Sequence, residues 1–350
     1  MTAVVTRRPR RGKPPLAAGL AGLAGLVLCA AAVGIAVGAR ALSPDVVYHA
    51  LTCPGDWPLH CPSRTPADQI VRELRLPRTG LAIVCGLALG VAGALIQGYT
   101  RNPLADAGLL GLNSGAAFAA VLGIHLFALT EPRQYIWFAF AGALVAGLVV
   151  FAASAAGGAL ASPLSLVLAG AAVSALLQAL TNAVILLDQT ALDTYRFWVV
   201  GSVAGHDAGV LRQVTPFILL GAILAVAAAP GLNALNLGDD VARGLGVNIA
   251  RNRTLGLAAV VLLTGAATAA VGPIAFLGLV VPHLARMITG PDHRWLLPYS
   301  GLLGALTLLL ADIAGRIVAR PGEVQAAVVL ALVGAPCFVV LVRRRRTVNL

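Results

Sequence analysis

Residues 79–98 read TGLAIVCGLALGVAGALIQG, an apolar stretch of twenty residues without a charged side chain. At a rise of about 1.5 Å per residue, a helix of this length spans about 30 Å, the thickness of a bilayer's hydrocarbon core. Glycine and alanine recur throughout the stretch, as they do where membrane helices pack closely. The stretch therefore predicts a transmembrane helix packed among other helices.

Similar apolar stretches recur along the whole chain. Of its 350 residues, 59% are hydrophobic and only 11% are charged, and the mean hydropathy is +0.88. So little charge does not cover the surface of a soluble protein of this length. The sequence predicts an all-α membrane protein whose ten-span domain covers residues 16–342. The predicted spans are 16–39, 79–98, 108–128, 135–153, 164–187, 210–229, 254–271, 273–290, 295–312 and 322–342.

The two tails set the predicted orientation. The net charge is +11, and nine cations lie in residues 1–15 and 343–350. Because positive charge near span ends favours the cytoplasmic side, both tails are expected in the cytoplasm, which requires an even number of spans. We expect a multi-pass protein of the cytoplasmic membrane, whose positive charge reflects its topology in lipid rather than a nucleic-acid partner.

The first loop, residues 40–78, is predicted to face outward although it is rich in arginine. Arg72, Arg75 and Arg78 are spaced by three and share one face if the segment is helical. Such a face would suit docking of an acidic protein surface. Long loops are also exported regardless of charge, so a simply solvated loop is the alternative.

Two cysteines, Cys53 and Cys61, lie in the same outward loop. An oxidising compartment would allow them to form a disulfide. A metal site is less favoured, since His60 is the only obvious additional ligand and two cysteines with one histidine make an incomplete set. We expect no metal site and no directly bound cofactor.

The predicted spans contain few polar residues that could drive transport. An ion-coupled carrier usually needs buried acids, whereas Asp312 and Arg316, one helical turn apart, are expected to form a local ion pair. Gln97 is expected to hydrogen-bond between helices, and Pro282 to kink or end its helix. The chain has no phosphate-binding Gly-Lys-Ser/Thr loop, so we expect ATP to be hydrolysed in a separate subunit rather than by this chain, which is not an enzyme.

The cytoplasmic loop at 230–253 offers a contact for such a subunit. Within it, residues 237–246 predict a short helix, with Asp239 or Asp240 in its first turn and glycines at its end. Leu237, Val241 and Leu245 recur every four residues and form one apolar stripe. This stripe packs either on the protein's own membrane face or in a partner's groove. The segment comprises Leu237, Gly238, Asp239, Asp240, Val241, Ala242, Arg243, Gly244, Leu245 and Gly246.

Over nearly its full length the chain resembles the permeases of the iron-chelate and vitamin B12 family of ABC importers, which have the ten-span, type II design. The order and spacing of several motifs carry this resemblance. They are Arg75-Leu76-Pro77-Arg78, the run from Gln97 to Asp106, Gly108 to Gly111, Asn113 to Ala116, Trp198, Gly201-Ser202, the 237–246 segment, Gly272 to His283, Arg286, Gly290 to Arg294, Ala311-Asp312 and Gly334-Ala335-Pro336.

The resemblance implies an assembly. Two permeases, identical or paralogous, pair around a pathway, with two cytoplasmic ATPases below and a substrate-binding protein above. It implies that Arg75, Arg78 and Arg316 receive acidic residues of the binding protein and that the 237–246 segment contacts an ATPase. The implied cargo is a ferric siderophore, with cobalamin or haem as the alternative.

The chain departs from the family pattern at one position and leaves two other classes open. Family members usually have Glu-x-Pro at the start of the last span, whereas this chain has Glu323-Val324-Gln325. An ion-coupled secondary transporter would fit the topology but not the shortage of buried acids. A membrane sensor or structural protein would predict that deletion leaves uptake intact.

Overall fold

The computed structural model describes residues 16–38, 42–52, 66–129, 131–155 and 163–346, and within these ranges the regular structure is helical. Cys53, His60 and Cys61 lie outside the described residues. The α-helices are α1 Leu16–Ala36, α2 Pro44–Thr52, α3 Pro66–Gln69, α4 Leu76–Thr100, α5 Leu112–Phe127, α6 Pro132–Ala155, α7 Pro163–Leu187, α8 Gln189–Trp198, α9 Ala208–Leu235, α10 Asp239–Gly244, α11 Ile249–Val271, α12 Leu277–Thr289, α13 His293–Val318 and α14 Ala326–Arg346. A π-helical turn, Ile70–Arg75, leads into α4, and a 3₁₀ turn, Ala107–Leu110, precedes α5.

The prediction of an all-helical, membrane-spanning fold is confirmed. In the part of the chain that the structure describes, seven helices are long and apolar enough to cross a bilayer. Three shorter apolar helices, Leu112–Phe127, Leu277–Thr289 and the 326–339 part of α14, occupy three further predicted spans. Each of the ten predicted spans therefore corresponds to an apolar helix. We call "outer" the end of the bundle where α4 begins and "inner" the end where it stops, following the orientation predicted from charge.

Helix α4 lies at the centre of the bundle, against α9, α11, α12 and α13. Its contacts with α13 and α12 depend on glycine. A Cβ atom at Gly90 would lie 2.1 Å from the Ser300 carbonyl oxygen, and one at Gly93 would lie 2.0 Å from that of Gly278. Only residues without a side chain permit backbones to approach this closely. The apolar stretch at 79–98 therefore lies at the packing centre of the fold.

Helix α12 differs from its prediction as a full span at 273–290. Residues 273–276 are not helical, and α12 has only 13 residues, equivalent to about 20 Å of helix. This length is less than the hydrocarbon core of a bilayer. Pro282 lies inside α12, which continues to Thr289, so the proline does not end the helix.

Gln97 of α4 explains how α12 accommodates its proline. Because Pro282 has no N–H, the carbonyl of Gly278 four residues earlier loses its intrahelical partner. The Gln97 side-chain amide donates to this carbonyl at 3.2 Å and to the Leu279 carbonyl at 3.1 Å. The predicted interhelical role of Gln97 is thus confirmed, and it satisfies a carbonyl that the proline leaves open.

Candidate functional site: an outer arginine cluster and an inner apolar segment

Arg75 lies at the last position of the π-helical turn and is only 5% exposed. Its Nη1 donates to the carbonyl oxygens of Ile35 at 2.9 Å and Ala36 at 2.7 Å, at the end of α1. The last carbonyls of a helix have no intrahelical partner and carry partial negative charge. Arg75 therefore caps α1 and does not stand free at the outer surface.

Arg316 of α13 caps the same helix end. Its Nη1 donates to the carbonyl oxygens of Gly34 at 2.7 Å and Val37 at 3.1 Å, and its Nη2 pairs with Asp312 one turn earlier. Arg316 and Asp312 are both buried, and their expected ion pair is present. Arg320 adds a bond to the Gly38 carbonyl at 3.1 Å. Arginines from two distant parts of the sequence thus hold the outer end of α1.

Arg78, in the first turn of α4, holds two carboxylates. Its Nε and Nη2 lie 2.8 Å and 2.7 Å from Asp312 Oδ1, and its Nη1 lies 2.6 Å from Glu323 Oε2. The side chain of Arg78 is 12% exposed and that of Glu323 is 33% exposed, whereas Asp312 is buried. Of the three arginines predicted to dock a protein, Arg78 is therefore the one whose bonded carboxylate partner reaches the outer surface.

The spacing by three in the first loop does not produce one row of free arginines. Arg72 donates to the Ala50 carbonyl of α2 at 2.5 Å, whereas Arg75 and Arg78 bond to α1 and to the α13–α14 region. The π-helical turn changes the residues per turn ahead of α4, so positions three apart point differently from those of a regular helix. The alignment predicted from spacing is wrong, although Arg75, Arg78 and Arg316 do lie in one cluster.

Gln325, the position at which the sequence departs from the expected Glu-x-Pro pattern, precedes the first residue of α14. Its carbonyl oxygen accepts from the backbone N–H groups of Val328 at 3.0 Å and Val329 at 3.3 Å. Proline favours the start of a helix because it fixes φ, but the carbonyl of any residue can accept these bonds. Helix α14 therefore begins at Ala326 without the proline.

At the inner end, the segment 237–246 forms the predicted short helix, α10. Gly238 and Gly246, with φ of 115° and 78°, flank it in conformations that favour glycine. Asp240 pairs with Arg243 on the surface at 2.8 Å. On one face Ala242 is fully buried, whereas the side chains of the apolar stripe are exposed, with Leu245 at 64%. The stripe, Leu237, Val241 and Leu245, thus faces away from this chain's own helices.

Asp239 ties α10 to the bundle. One oxygen accepts from Arg101 Nη2 at 2.6 Å and the other from Arg253 Nη2 at 2.9 Å. Arg101 follows α4 with φ of 48° and also donates to the Leu235 carbonyl at 2.6 Å. Neither arginine was expected to contact this segment, because no local pattern links positions so far apart. The apolar stripe is therefore attached to the ends of α4, α9 and α11.

A metal centre finds no support in the residues described by the structure. Among residues 16–38, 42–52, 66–129, 131–155 and 163–346, no three His, Cys, Asp or Glu side chains form a group that could hold a metal ion. The two cysteines and the histidine considered from the sequence lie outside these ranges. Both candidate sites are instead surfaces at opposite ends of a helical bundle.

Comparisons with known proteins identify the bundle. The model of the FecCD transport family matches residues 26–344. The ferric enterobactin transport system permease protein FepD of Escherichia coli is 44% identical over 326 residues, covering 93% of this chain and 94% of that protein. The probable siderophore transport system permease protein YfiZ of Bacillus subtilis is 38% identical over 275 residues, covering 79% and 83%.

A solved structure agrees with this relationship. An inward-facing metal-chelate type ABC transporter superimposes with a TM-score of 0.79 at 30% identity, covering 94% of this chain and 99% of that chain. The residues matched by the family model, 26–344, include both candidate sites. The chain therefore belongs to the FecCD transport family.

Proposed function

We propose that this chain is the permease subunit of an ATP-driven ABC importer that moves a ferric siderophore across the cytoplasmic membrane. The observation that carries the proposal is the similarity to permeases named for siderophore transport, at 44% identity over 93% of this chain and 38% identity over 79% of it. The bundle of apolar, membrane-length helices supports it, and the sequence has no Gly-Lys-Ser/Thr loop of the kind that binds ATP phosphates. ATP hydrolysis belongs to a partner subunit.

The assembly contains a second permease, two ATPases and an extracytoplasmic binding protein. The exposed apolar stripe of α10 supports the ATPase contact. The stripe is fixed to the bundle through Asp239 and points away from it, so a groove on an ATPase is the proposed surface that buries it. Because three helices meet at this attachment, displacement of α10 by an ATPase would move the inner ends of α4, α9 and α11 together.

Leu245→Asp tests the ATPase contact. Burying one unpaired carboxylate in an interface costs several kcal/mol. We expect the variant to insert normally but to lose the co-purifying ATPase or to hydrolyse ATP without transport. Leu126→Asp, which changes an exposed leucine at the outer end of α5, is the matched control. Normal coupling in the Leu245 variant would show that α10 is not the contact.

Arg78 is the proposed docking residue for the binding protein, with Arg75 and Arg316 holding the surface around it. The planar guanidinium group binds a carboxylate through two hydrogen bonds, which suits an acidic partner. Arg78→Glu should weaken docking at low salt, and a compensating Glu→Arg change in the partner should restore part of the affinity. Arg133→Glu, at an exposed outer position of α6, is the control. If the Arg78→Glu and Arg133→Glu importers bind the binding protein with equal affinity, Arg78 is not the docking residue.

The transport activity itself is tested in vesicles that contain the assembled importer and its binding protein. We expect accumulation of a ferric siderophore to require ATP and to stop when the ATPase carries an inactivating substitution. Accumulation driven by a proton or sodium gradient without ATP would instead indicate a secondary transporter. Competition by cobalamin or haem in place of the siderophore would reassign the cargo while keeping the mechanism.

A further inference from the structure

Two carboxylates, those of Asp312 and Glu323, bond to the outer arginine cluster, and Glu323 is bound less firmly than Asp312. Asp312 is buried and is bonded by both Arg78 and Arg316. Glu323 is 33% exposed, lies in the turn between α13 and α14, and reaches Arg78 through one nitrogen at 2.6 Å. The buried carboxylate is fixed by two arginines, whereas the exposed one is the more easily displaced.

The geometry of Arg78 makes the two carboxylates unequal in a second way. Asp312 occupies Nε and Nη2, the edge that faces the buried interior. Glu323 occupies Nη1, the edge that faces the outer surface. A carboxylate that approaches from outside meets the edge that Glu323 already fills. An incoming carboxylate that takes the N–H now bonded to Glu323 displaces Glu323, because one N–H serves only one carboxylate oxygen in good geometry.

We propose that Glu323 occupies, in the undocked permease, the position on Arg78 that a carboxylate of the binding protein takes, and that docking exchanges one carboxylate for the other. This inference rests on the proposed docking role of Arg78. After the exchange Arg78 keeps its bond to Asp312, so the buried ion pairs are preserved. The neighbouring Arg75, Arg316 and Arg320 favour an incoming negative charge.

The exchange reaches α14 through the backbone next to Glu323. The N–H of Val324 donates to the Gly315 carbonyl of α13 at 3.1 Å, and Gln325 supplies the carbonyl on which α14 begins. The turn lies tightly against α13, because a Cβ atom at Gly315 would be 2.2 Å from the Val324 carbonyl oxygen. Release of Glu323 removes the bond that ties this turn to Arg78 and leaves the backbone bond from Val324 to Gly315 as its link to α13.

The exchange is tested by measuring how tightly the assembled importer with Glu323→Gln binds its siderophore-loaded binding protein. Glutamine keeps the shape of the side chain and removes the competing charge. We expect docking to tighten about two- to fivefold at low salt, the range for a partly exposed ion pair. Glu131→Gln is the matched control, since it removes one exposed acid between α5 and α6 without contact to Arg78.

Hydrogen exchange at Val324 gives a second readout. In the wild-type importer, docking should speed exchange of this amide, and in Glu323→Gln the amide should exchange faster before docking. Unchanged or weaker docking by Glu323→Gln, or an equal gain from Glu131→Gln, would overturn the inference. If Arg78→Glu weakens docking while Glu323→Gln fails to strengthen it, only the exchange is wrong. If Arg78→Glu leaves docking unchanged, the docking proposal itself fails.

Discussion

Gln97→Met tests whether a side chain of α4 compensates for the proline in α12. The substitution keeps the length and volume of the side chain but removes the donor that reaches the Gly278 and Leu279 carbonyls at 3.2 Å and 3.1 Å. The Leu279 carbonyl keeps its intrahelical partner, the N–H of residue 283. The Gly278 carbonyl has none, because residue 282 is a proline.

The expected magnitude follows from that single carbonyl. A buried polar group left without a partner costs about 1–3 kcal/mol, while measured interhelical hydrogen bonds in membranes average about 0.6 and reach about 1.7 kcal/mol. We therefore expect Gln97→Met to lower the free energy of unfolding by about 1 kcal/mol or somewhat more. Loss of the 3.3 Å bond from Arg286 Nη2 to Gln97 Oε1 adds to this value.

A double-mutant cycle with Pro282→Ala isolates the carbonyl. Alanine restores an N–H that can donate to Gly278 within α12, so Gln97→Met should cost less in this background, by about 0.6–1.7 kcal/mol. The Arg286 bond is lost in both backgrounds and cancels. Unfolding of the purified permease in mixed detergent micelles, titrated with SDS, provides the four free energies.

Pro298→Ala supplies the matched control for the cycle. Pro298 is also the sixth residue of its helix, α13, but no hydrogen bond links Gln97 to that helix among the residues that the structure describes. The effects of Gln97→Met and Pro298→Ala should therefore add. If the changes in unfolding free energy caused by Gln97→Met and Pro282→Ala also add, Gln97 does not compensate for the proline and the reasoning is refuted.

Three further predictions concern packing, attachment and the outer loop. Gly90→Ala should destabilise the fold by about 1–3 kcal/mol through overpacking against α13, whereas Gly22→Ala, with open space around it, should be nearly neutral, as melting temperatures in detergent would show. Asp239→Asn should weaken the attachment of α10 and reduce the ratio of transport to ATP hydrolysis, and an unchanged ratio would contradict this. Cys53 and Cys61 should be linked in non-reduced, alkylated protein by mass spectrometry, a bond worth about 2–3 kcal/mol; free thiols on both would exclude it.

The sequence determined the membrane class, the approximate positions of ten helices and the short helix at 237–246. These features depend on local composition, since apolar length, helical periodicity and glycine ends are properties of consecutive residues. The order of several motifs along the chain was also enough to indicate the family. Predicted helix ends, such as 210–229 against the observed Ala208–Leu235, were less accurate because hydropathy does not mark where a helix stops outside the hydrocarbon core.

Tertiary structure alone decided which polar side chains from distant parts of the sequence meet. Arg78 and Glu323 are 245 residues apart, and Gln97 and Gly278 are 181 apart. Whether an arginine stands free or caps a helix depends on which helix end packs beside it, and no spacing within the first loop specifies that α1 ends beside Arg75. In a low-dielectric interior each buried charge and each open carbonyl needs a partner, so packing assigned these groups to positions that local sequence could not reveal.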